Sequence, residues 1–168
     1  MTKKSNSSEE LLARAYALSN DKETKALYRD WASTYDETML DGLSYLTPSK
    51  TAELLADAVE DKTARILDVG SGTGLAGENL AELGFSNIDA LDYSADMLGI
   101  AAARMQNEKP IYQNCLKVDL NQLLEFESNT YDAIICTGLF THAHVGCWMS
   151  AGTVQNIKTQ QFFRNNGS

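Results

Sequence analysis

The sequence predicts an α/β fold with a doubly wound, mostly parallel sheet, preceded by a helical segment. The first observation behind this prediction is the alternation, from Ala64 onward, of short apolar runs with stretches whose apolar residues recur at helical spacing. The second is the stretch 66–74, where an apolar strand leads into an acidic residue and three alternating glycines. The third is the length of 168 residues, which allows one domain with a substantial core.

Residues 1–60 predict a helical cap in front of the sheet. Ser7 precedes a glutamate by three positions, a capping-box pattern that indicates a helix start after the polar N-terminus. A second helix is expected to begin near Asn20 and to carry Leu27, Trp31 and Tyr35 on one side, because apolar and aromatic residues recur there at helical spacing. A third helix is expected to begin at Thr47, with Pro48 at its first position. The apolar faces of these helices need a partner, which the sheet would supply.

Residues 61–146 predict the core of the domain. A helix is expected between the glycine-rich stretch and Gly84, and Ser94 is expected to cap the next helix, whose apolar face runs from Leu98 to Met105. Four strands are expected at 66–69, 87–91, 113–118 and 131–137, with Asp92 and Asp119 closing the second and the third. Alternation of this kind predicts parallel strands that are joined by helical crossovers.

The stretch 66–74 is expected to bind a nucleotide-type cofactor. Gly70, Gly72 and Gly74 permit a tight turn and a close approach of the backbone to a ligand, and the next helix offers amide donors at its start. The weaker dinucleotide pattern Gly-x-Gly-x-x-Gly is also present and ends at Gly77. Asp68 distinguishes the two interpretations, because a carboxylate there opposes a pyrophosphate and suits the cationic groups of S-adenosylmethionine. The pattern therefore favours a methyl donor over a dinucleotide.

Composition and charge argue against nucleic-acid and membrane partners. The formal net charge is −9 and no run is rich in Lys or Arg, so the chain is a poor match for a phosphate backbone or a membrane surface. No apolar run approaches the roughly 20 residues of a membrane-spanning helix. Three widely spaced cysteines and an N-terminus without an apolar segment predict reduced thiols in a cytoplasmic protein. Cys115 and Cys136 fall in expected strands and are interpreted as packing residues.

Two motifs carry a resemblance to a known family. Residues 68–74, Asp-Val-Gly-Ser-Gly-Thr-Gly, together with the acids that close the second and third strands, resemble the class I S-adenosylmethionine-dependent methyltransferases over about residues 64–138. Residues 31–36, Trp-Ala-Ser-Thr-Tyr-Asp, resemble a segment of the methyltransferase-like proteins named for the Williams-Beuren syndrome region. The resemblance implies a Rossmann-like fold, S-adenosyl-L-methionine as the cofactor, and in-line methyl transfer to a nucleophilic atom of a small molecule.

The resemblance also implies a set of cofactor-binding residues along the carboxyl edge of the sheet. Asp68 and Tyr35 would contact the methionine portion, together with the backbone of Gly70, Ser71, Gly72 and Gly74. Asp92 would bind the ribose hydroxyls, and the adenine would be bordered by Tyr93, Met97, Asp119 and Leu120. Thr137 follows the fourth strand at the same edge. Plain packing for Met97, a turn acid for Asp119 and a core position for Tyr35 stay open alternatives. No catalytic residue and no metal site are assigned, and His142 and His144 are interpreted as loop residues.

The family pattern stops early in this chain. The full fold has seven strands in the order 3-2-1-4-5-7-6, whereas four are expected here before residues 147–168, a polar tail without a single Asp or Glu. We therefore expect a truncated form in which the fourth strand is an exposed apolar edge. A non-catalytic module that binds the cofactor, or a protein through this edge, is the alternative function, and an NAD-binding oxidoreductase is the third. The segment after the fourth strand lacks the Asn/Asp-Pro-Pro-Tyr/Phe sequence associated with methylation of exocyclic or amide nitrogens.

Overall fold

A computed structural model describes Leu27 and residues 35–37, 46–119, 126–127 and 129–137, and the following account is limited to these. Several predicted features lie outside the described residues: the helix that follows Ser7, most of the helix expected from Asn20 through Tyr35, the loop residues His142 and His144, and the tail 147–168. Within the described ranges, no helix is both long enough and apolar enough to cross a membrane.

The described elements alternate between helix and strand, as the sequence predicts. In chain order they are α1 (Tyr35–Glu37), α2 (Thr47–Ala58), β1 (Ile66–Val69), α3 (Leu75–Glu82), β2 (Ile88–Asp92), α4 (Ala95–Ala103), β3 (Met105–Gln106), β4 (Lys109–Pro110), β5 (Tyr112–Lys117) and β6 (Ala133–Cys136). Helix α2 begins at Thr47 with a proline in its first turn, which agrees with the sequence prediction.

Four of the strands form one parallel sheet in the order β5-β2-β1-β6. In chain order these are the third, second, first and fourth strands of the predicted core, so the predicted 3-2-1-4 arrangement is confirmed. Ile66 of β1 lies opposite Ile88 on one side and Ala133 on the other. Strand β1 is therefore central, and all four of its residues are buried.

Successive residues of a strand point to opposite faces of the sheet, and the structure packs each face differently. Helices α2, α3 and α4 lie on one face, where Leu55, Leu80 and Leu98 pack against strand residues such as Ile66 and Ile135. On the other face Leu67, Val69 and Leu91 pack with Tyr131, whose ring meets that of Phe126 edge-on at 5.4 Å. The described core thus has apolar contacts on both sides of the sheet.

The ends of the helices follow from local sequence signals. Gly84 follows α3 with φ 94°, the left-handed conformation that the sequence predicts for a helix stop. The Ser94 hydroxyl accepts a hydrogen bond from the Met97 amide at 3.3 Å, so the predicted cap of α4 is present.

One predicted helical position is wrong. Met105 was expected on the apolar face of α4, but the helix ends at Ala103 and Met105 lies 54% exposed in strand β3. The cause is a small hairpin: β3 pairs antiparallel with β4, and the left-handed residues Asn107 and Glu108 form the turn between them. The Ile111 amide donates to the Arg104 carbonyl at 3.1 Å, and this hydrogen bond closes the base of the hairpin.

Candidate cofactor site

The glycine-rich loop between β1 and α3 folds back over the carboxyl end of β2. Gly70, Gly72 and Gly74 have φ values of 68°, 55° and 93°, a conformation that residues with a Cβ rarely adopt. The amides of Gly70 and Ser71 donate to the Leu91 carbonyl at 2.8 and 3.1 Å. The loop is thereby fixed against the neighbouring strand at the edge where parallel sheets bind ligands.

Asp92 is held at the end of β2 by two backbone amides. Its Oδ2 accepts from the Gly72 amide at 2.9 Å and its Oδ1 from the Ser94 amide at 2.8 Å, and the residue is 8% exposed. The side chain is therefore oriented by the loop and by the cap of α4, at the carboxyl end of β2.

Asp68 lies below the loop and is fully buried, at 0% exposure. Its Oδ2 accepts a hydrogen bond from the Tyr112 hydroxyl at 2.7 Å, while Oδ1 has no hydrogen-bond partner among the described residues. Burial raises the pKa of Asp68 from an ordinary 3.8 to about 7, and the nearby Asp92 adds to this, whereas the contacts from Tyr112 and the Gly77 amide act in the opposite direction.

The glycines of the loop serve two different purposes. A Cβ at Gly72 would meet no atom of the described residues within 4 Å, so nothing in that part of the chain blocks a ligand from this stretch of backbone. A Cβ at Gly74 would lie 2.8 Å from the Tyr112 ring, and one at Gly77 would lie 2.2 Å from the Tyr112 hydroxyl. Gly77 is the last position of the weak dinucleotide pattern. A glycine is needed there because the Tyr112 side chain leaves no room for a Cβ.

The helical turn α1 reaches the same loop through Asp36. The Thr73 hydroxyl and the Arg104 guanidinium both donate to its carboxylate. Arg104 also donates to the Thr73 carbonyl at 2.6 Å and to the Glu78 carboxylate of α3. Tyr35, which the sequence places near the methionine end of a cofactor, is half-buried and directly precedes Asp36.

The remaining predicted site residues follow the carboxyl ends of three strands. Tyr93 is half-buried after β2 and Met97 is 2% exposed in the first turn of α4. Asp119 and Thr137, both half-buried, come shortly after β5 and β6. Because the four strands are parallel, these ends lie along one edge of the sheet. The cofactor roles assigned to all the site residues stay predictions, and Leu120 lies outside the described residues.

Sequence reasoning missed Tyr112 and Arg104. The sole signal for Tyr112 was Gly77, since a glycine inside a helix often marks a close approach of another group. For Arg104, at the end of α4, we find no signal in the local sequence. Both side chains contact residues that are 26 to 68 positions away in the sequence, so only the folded structure reveals these contacts.

Other chemistries find little support in the described part of the chain. No group of three His, Cys, Asp or Glu side chains there could hold a metal ion. Cys115 and Cys136 are free thiols that pack against the core, which agrees with their interpretation as packing residues. Burial raises the pKa of Cys136 to about 12, with Asp68 contributing, so this thiol stays protonated at neutral pH and is a poor nucleophile.

Comparison with known proteins identifies the family. Residues 66–155 match the family described as methyltransferase domain, which is more than half of the chain. Methyltransferase-like protein 27 of Homo sapiens is 32% identical over 123 residues, which cover 71% of this chain and 48% of the human protein. Ubiquinone biosynthesis O-methyltransferase of Neisseria meningitidis serogroup C is 30% identical over 80 residues, 46% of this chain and 33% of that enzyme.

A solved structure shows the same fold. It is described as a "putative s-adenosyl-l-methionine-dependent methyltransferase" from Methanococcus maripaludis, and it aligns with a TM-score of 0.50 and 26% identity over 66% of this chain and 50% of its own. The chain spans less than half the length of the two curated relatives above. These matches confirm the predicted fold and S-adenosyl-L-methionine as the cofactor of the family, and they favour it over the dinucleotide interpretation. The chain belongs to the class I S-adenosyl-L-methionine-dependent methyltransferases.

Proposed function

We propose that this chain binds S-adenosyl-L-methionine at the loop between β1 and α3, and that the protein transfers the methyl group to a small molecule. The observation that carries this proposal is the fixed carboxylate of Asp92, which two amides hold at the carboxyl end of β2. A carboxylate in this position pairs well with two adjacent hydroxyl donors, the arrangement that a ribose presents.

The residues around the loop fit such a cofactor. Asp68 Oδ1 and Ser71 Oγ are buried polar atoms for which the described residues provide no hydrogen-bond partner. Buried acceptors of this kind are costly unless a donor reaches them, and an ammonium group is a suitable donor. The open space at Gly72 leaves room for a ligand to lie against the backbone. The acidic surroundings also suit a cation better than a phosphate.

The bound cofactor would supply the methyl group on a sulfonium, which is a good leaving group without help from the protein. The task left to the chain is alignment and the exclusion of water. Asp92 would orient the ribose, and the loop backbone would set the depth of the ligand. Asp36, through its contacts with Thr73 and Arg104, would hold the turn α1 at the methionine end. No side chain is assigned as a general base.

Two observations support a small-molecule acceptor. One relative is named for the biosynthesis of ubiquinone, a small molecule. The net charge of −9, without a run rich in Lys or Arg, is unfavourable for binding a nucleic-acid backbone.

Calorimetric titration of the 168-residue chain with S-adenosylhomocysteine tests cofactor binding. We expect saturable binding that weakens at least about tenfold in Asp92→Asn, because an amide presents one acceptor oxygen instead of two. Asp96→Asn is the matched control, since it removes an exposed carboxylate four positions away on the surface of α4. Absence of binding, undiminished affinity in Asp92→Asn, or saturable binding of NAD in the same experiment would contradict the proposal.

The acceptor class is tested with a tritium-labelled methyl donor. We expect the label to pass from S-adenosyl-L-methionine into another compound of the low-molecular-weight fraction, separated from the donor by chromatography, when a cell extract is incubated with the protein. Recovery of the label in the protein or nucleic-acid fraction would refute a small-molecule acceptor. Cofactor binding without transfer to any fraction would instead favour the non-catalytic module.

A further inference from the structure

We propose that Tyr112 is a positioning residue of the cofactor site: its hydroxyl holds one oxygen of Asp68 and so presents the other to a cationic group of the ligand. This inference depends on the proposed function for the identity of the ligand. It adds a residue from β5 that neither the glycine-rich motif nor the resemblance assigns.

The hydrogen bonds of Tyr112 fix the direction of its proton. The Gly77 amide can only donate, so at 3.2 Å from the hydroxyl it occupies a lone pair of that oxygen. The proton of the hydroxyl is left for Asp68 Oδ2, 2.7 Å away. Tyr112 itself is 4% exposed, and its ring packs in the apolar core with α3 and α4. Asp68 is thus held by a buried donor whose ring is fixed by packing in the core.

The backbone of the loop is shaped around this contact. Without side chains at Gly74 and Gly77, the Tyr112 ring reaches the underside of the loop, where a Cβ at either position would collide with it. A Cβ at Gly72, by contrast, would meet none of the described residues within 4 Å. The loop therefore has a side that accommodates Tyr112 and a position that is left open for a ligand.

The geometry leaves one oxygen of Asp68 for a ligand. Oδ2 is taken by Tyr112, whereas Oδ1 has no hydrogen-bond partner within the described ranges although it is fully buried. Such an atom destabilises the protein until a donor reaches it. A rotation of the carboxylate would allow either oxygen to turn away, and the hydroxyl of Tyr112 prevents this rotation.

The contact also links ligand binding to pH. Burial raises the pKa of Asp68 to about 7, Asp92 at the end of β2 raises it further, and the Tyr112 hydroxyl and the Gly77 amide lower it. The Cys136 thiol of β6 also interacts with Asp68, and Arg104 at the end of α4 interacts with Tyr112. Because only the ionised carboxylate attracts a cation, affinity for the ligand is expected to rise as pH rises through about 7. Loss of the Tyr112 hydroxyl would move this rise to higher pH.

The test compares Tyr112→Phe with Tyr131→Phe by calorimetric titration with S-adenosylhomocysteine from about pH 5.5 to 8.5. Tyr131 is the matched control, because its buried hydroxyl also donates to a buried carboxylate, that of Asp89 at 3.0 Å, on the opposite side of the same sheet. We expect Tyr112→Phe to bind the ligand about tenfold more weakly at neutral pH. The pH at which its affinity rises should be higher than in wild type by about one unit. Tyr131→Phe should retain the wild-type profile. An unchanged profile in Tyr112→Phe, or an equal displacement in both variants, would overturn the proposal.

A measurement without ligand separates this proposal from the proposed function. The carbon-13 signal of the Asp68 carboxyl reports its titration directly, and we expect its midpoint to be higher in Tyr112→Phe than in wild type and in Tyr131→Phe. An unchanged midpoint would refute the role of Tyr112 even if the wild type binds the ligand. If Tyr112→Phe fails to fold, 3-fluorotyrosine at position 112 keeps the ring and makes the hydroxyl more acidic. The Asp68 midpoint should then be lower than in wild type, and a midpoint that does not move would overturn the proposal.

Discussion

At the scale of single residues, the site is built around a carboxylate that is costly to bury. Asp68 is completely enclosed, and burial raises its pKa to about 7, so in its ionised form it destabilises the fold. Functional sites often keep such a group, because the ligand provides the compensating contact. Stability and function are therefore expected to oppose each other at this position.

Asp68→Asn should make the protein more stable at alkaline pH. The folded wild type keeps the Asp68 proton up to about pH 7 and the unfolded chain loses it near pH 3.8, so wild-type stability falls as pH rises between these values. The amide does not titrate and lacks this dependence. Between about pH 5 and about pH 8, the free energy of unfolding of the variant should gain about 3 kcal/mol relative to wild type.

Urea unfolding at several pH values measures this difference. The same variant should bind S-adenosylhomocysteine less tightly, because the negative charge is lost. Parallel stability–pH curves for variant and wild type would show that Asp68 titrates normally in the folded protein.

Gly77→Ala should destabilise the protein although alanine is the better helix former. The new Cβ would lie 2.2 Å from the Tyr112 hydroxyl, so the ring has to move away from Asp68. We expect a loss of about 1–3 kcal/mol in the free energy of unfolding, measured by chemical denaturation. Gly99→Ala, in α4 where a Cβ meets none of the described residues within 4 Å, is the control and should stabilise by about 0.5–1 kcal/mol. Equal effects at the two positions would exclude the close contact at Gly77.

At the scale of elements, Arg104 joins parts of the chain that are far apart in sequence. It follows α4, and its guanidinium reaches Glu78 in α3, the carbonyl of Thr73 in the loop, and Asp36 in α1. The Arg104 side chain is 14% exposed, whereas those of Asp36 and Glu78 are 34% and 43% exposed. A planar guanidinium serves several acceptors at once, which a lysine at this position would not do.

Arg104→Gln should loosen the turn α1 from the glycine-rich loop. We expect a loss of about 1–2 kcal/mol in the free energy of unfolding, since the partners are partly exposed and solvent weakens each ion pair. Affinity for S-adenosylhomocysteine should fall several-fold, because Asp36 keeps its contact with the Thr73 hydroxyl but loses the one with the guanidinium. Chemical denaturation and calorimetry measure the two effects.

Lys50→Gln provides the comparison for this variant. It removes an ion pair with Glu53 within α2, in which both side chains are more than half exposed. This change should alter stability by less than about 0.5 kcal/mol and leave ligand binding intact. A similar small effect in Arg104→Gln would mean that the contacts to Asp36 and Glu78 do not restrain α1.

At the scale of the whole molecule, the two ends of the sheet have different tasks. The carboxyl edge carries Asp68, whose Oδ1 has no hydrogen-bond partner among the described residues, whereas Asp89, near the amino edge, has partners for both carboxylate oxygens. Asp89 is 1% exposed and accepts from Arg65 at 2.8 Å, from Asn114 at 2.8 Å and from Tyr131 at 3.0 Å. Arg65 and Tyr131 lie just before β1 and β6, and Asn114 lies early in β5. Together with Asp89 in β2, this cluster connects all four strands of the parallel sheet.

Asp89→Asn should weaken the fold without changing the cofactor site. The amide cannot accept from all three partners, and Arg65 loses the opposite charge. Because the Arg65 side chain is 40% exposed and water can solvate it, we expect a loss of about 2 kcal/mol in the free energy of unfolding, below the cost for a fully buried pair. Ligand affinity of the folded variant should equal that of wild type. A parallel loss of affinity would show that the two edges of the sheet are coupled.

The predictable part of the structure is the part that local patterns encode. The observed strands differ from the predicted ones by up to two residues at their ends. Met105 lies in a hairpin and not in the predicted helix, because the turn at Asn107 and Glu108 lacks the usual glycine signal. The strand order followed from the resemblance and was confirmed. At the site, Asp68, the loop glycines and Asp92 were identified from the sequence, since a strand, an acid and spaced glycines form a contiguous motif.

The sequence by itself determined the family, the parallel sheet and the loop that is expected to bind the cofactor. Periodicity and glycine spacing are local properties, and they can be read along the chain. Only the tertiary structure decided that Tyr112 lies beneath the loop, that Gly77 makes room for it, and that Arg104 connects α1 to α3. These contacts join residues 26 to 68 positions apart, and they exist because the sheet brings the ends of its strands and helices to one place. The environment of Asp68 is likewise a property of the fold, because burial and not sequence sets its pKa.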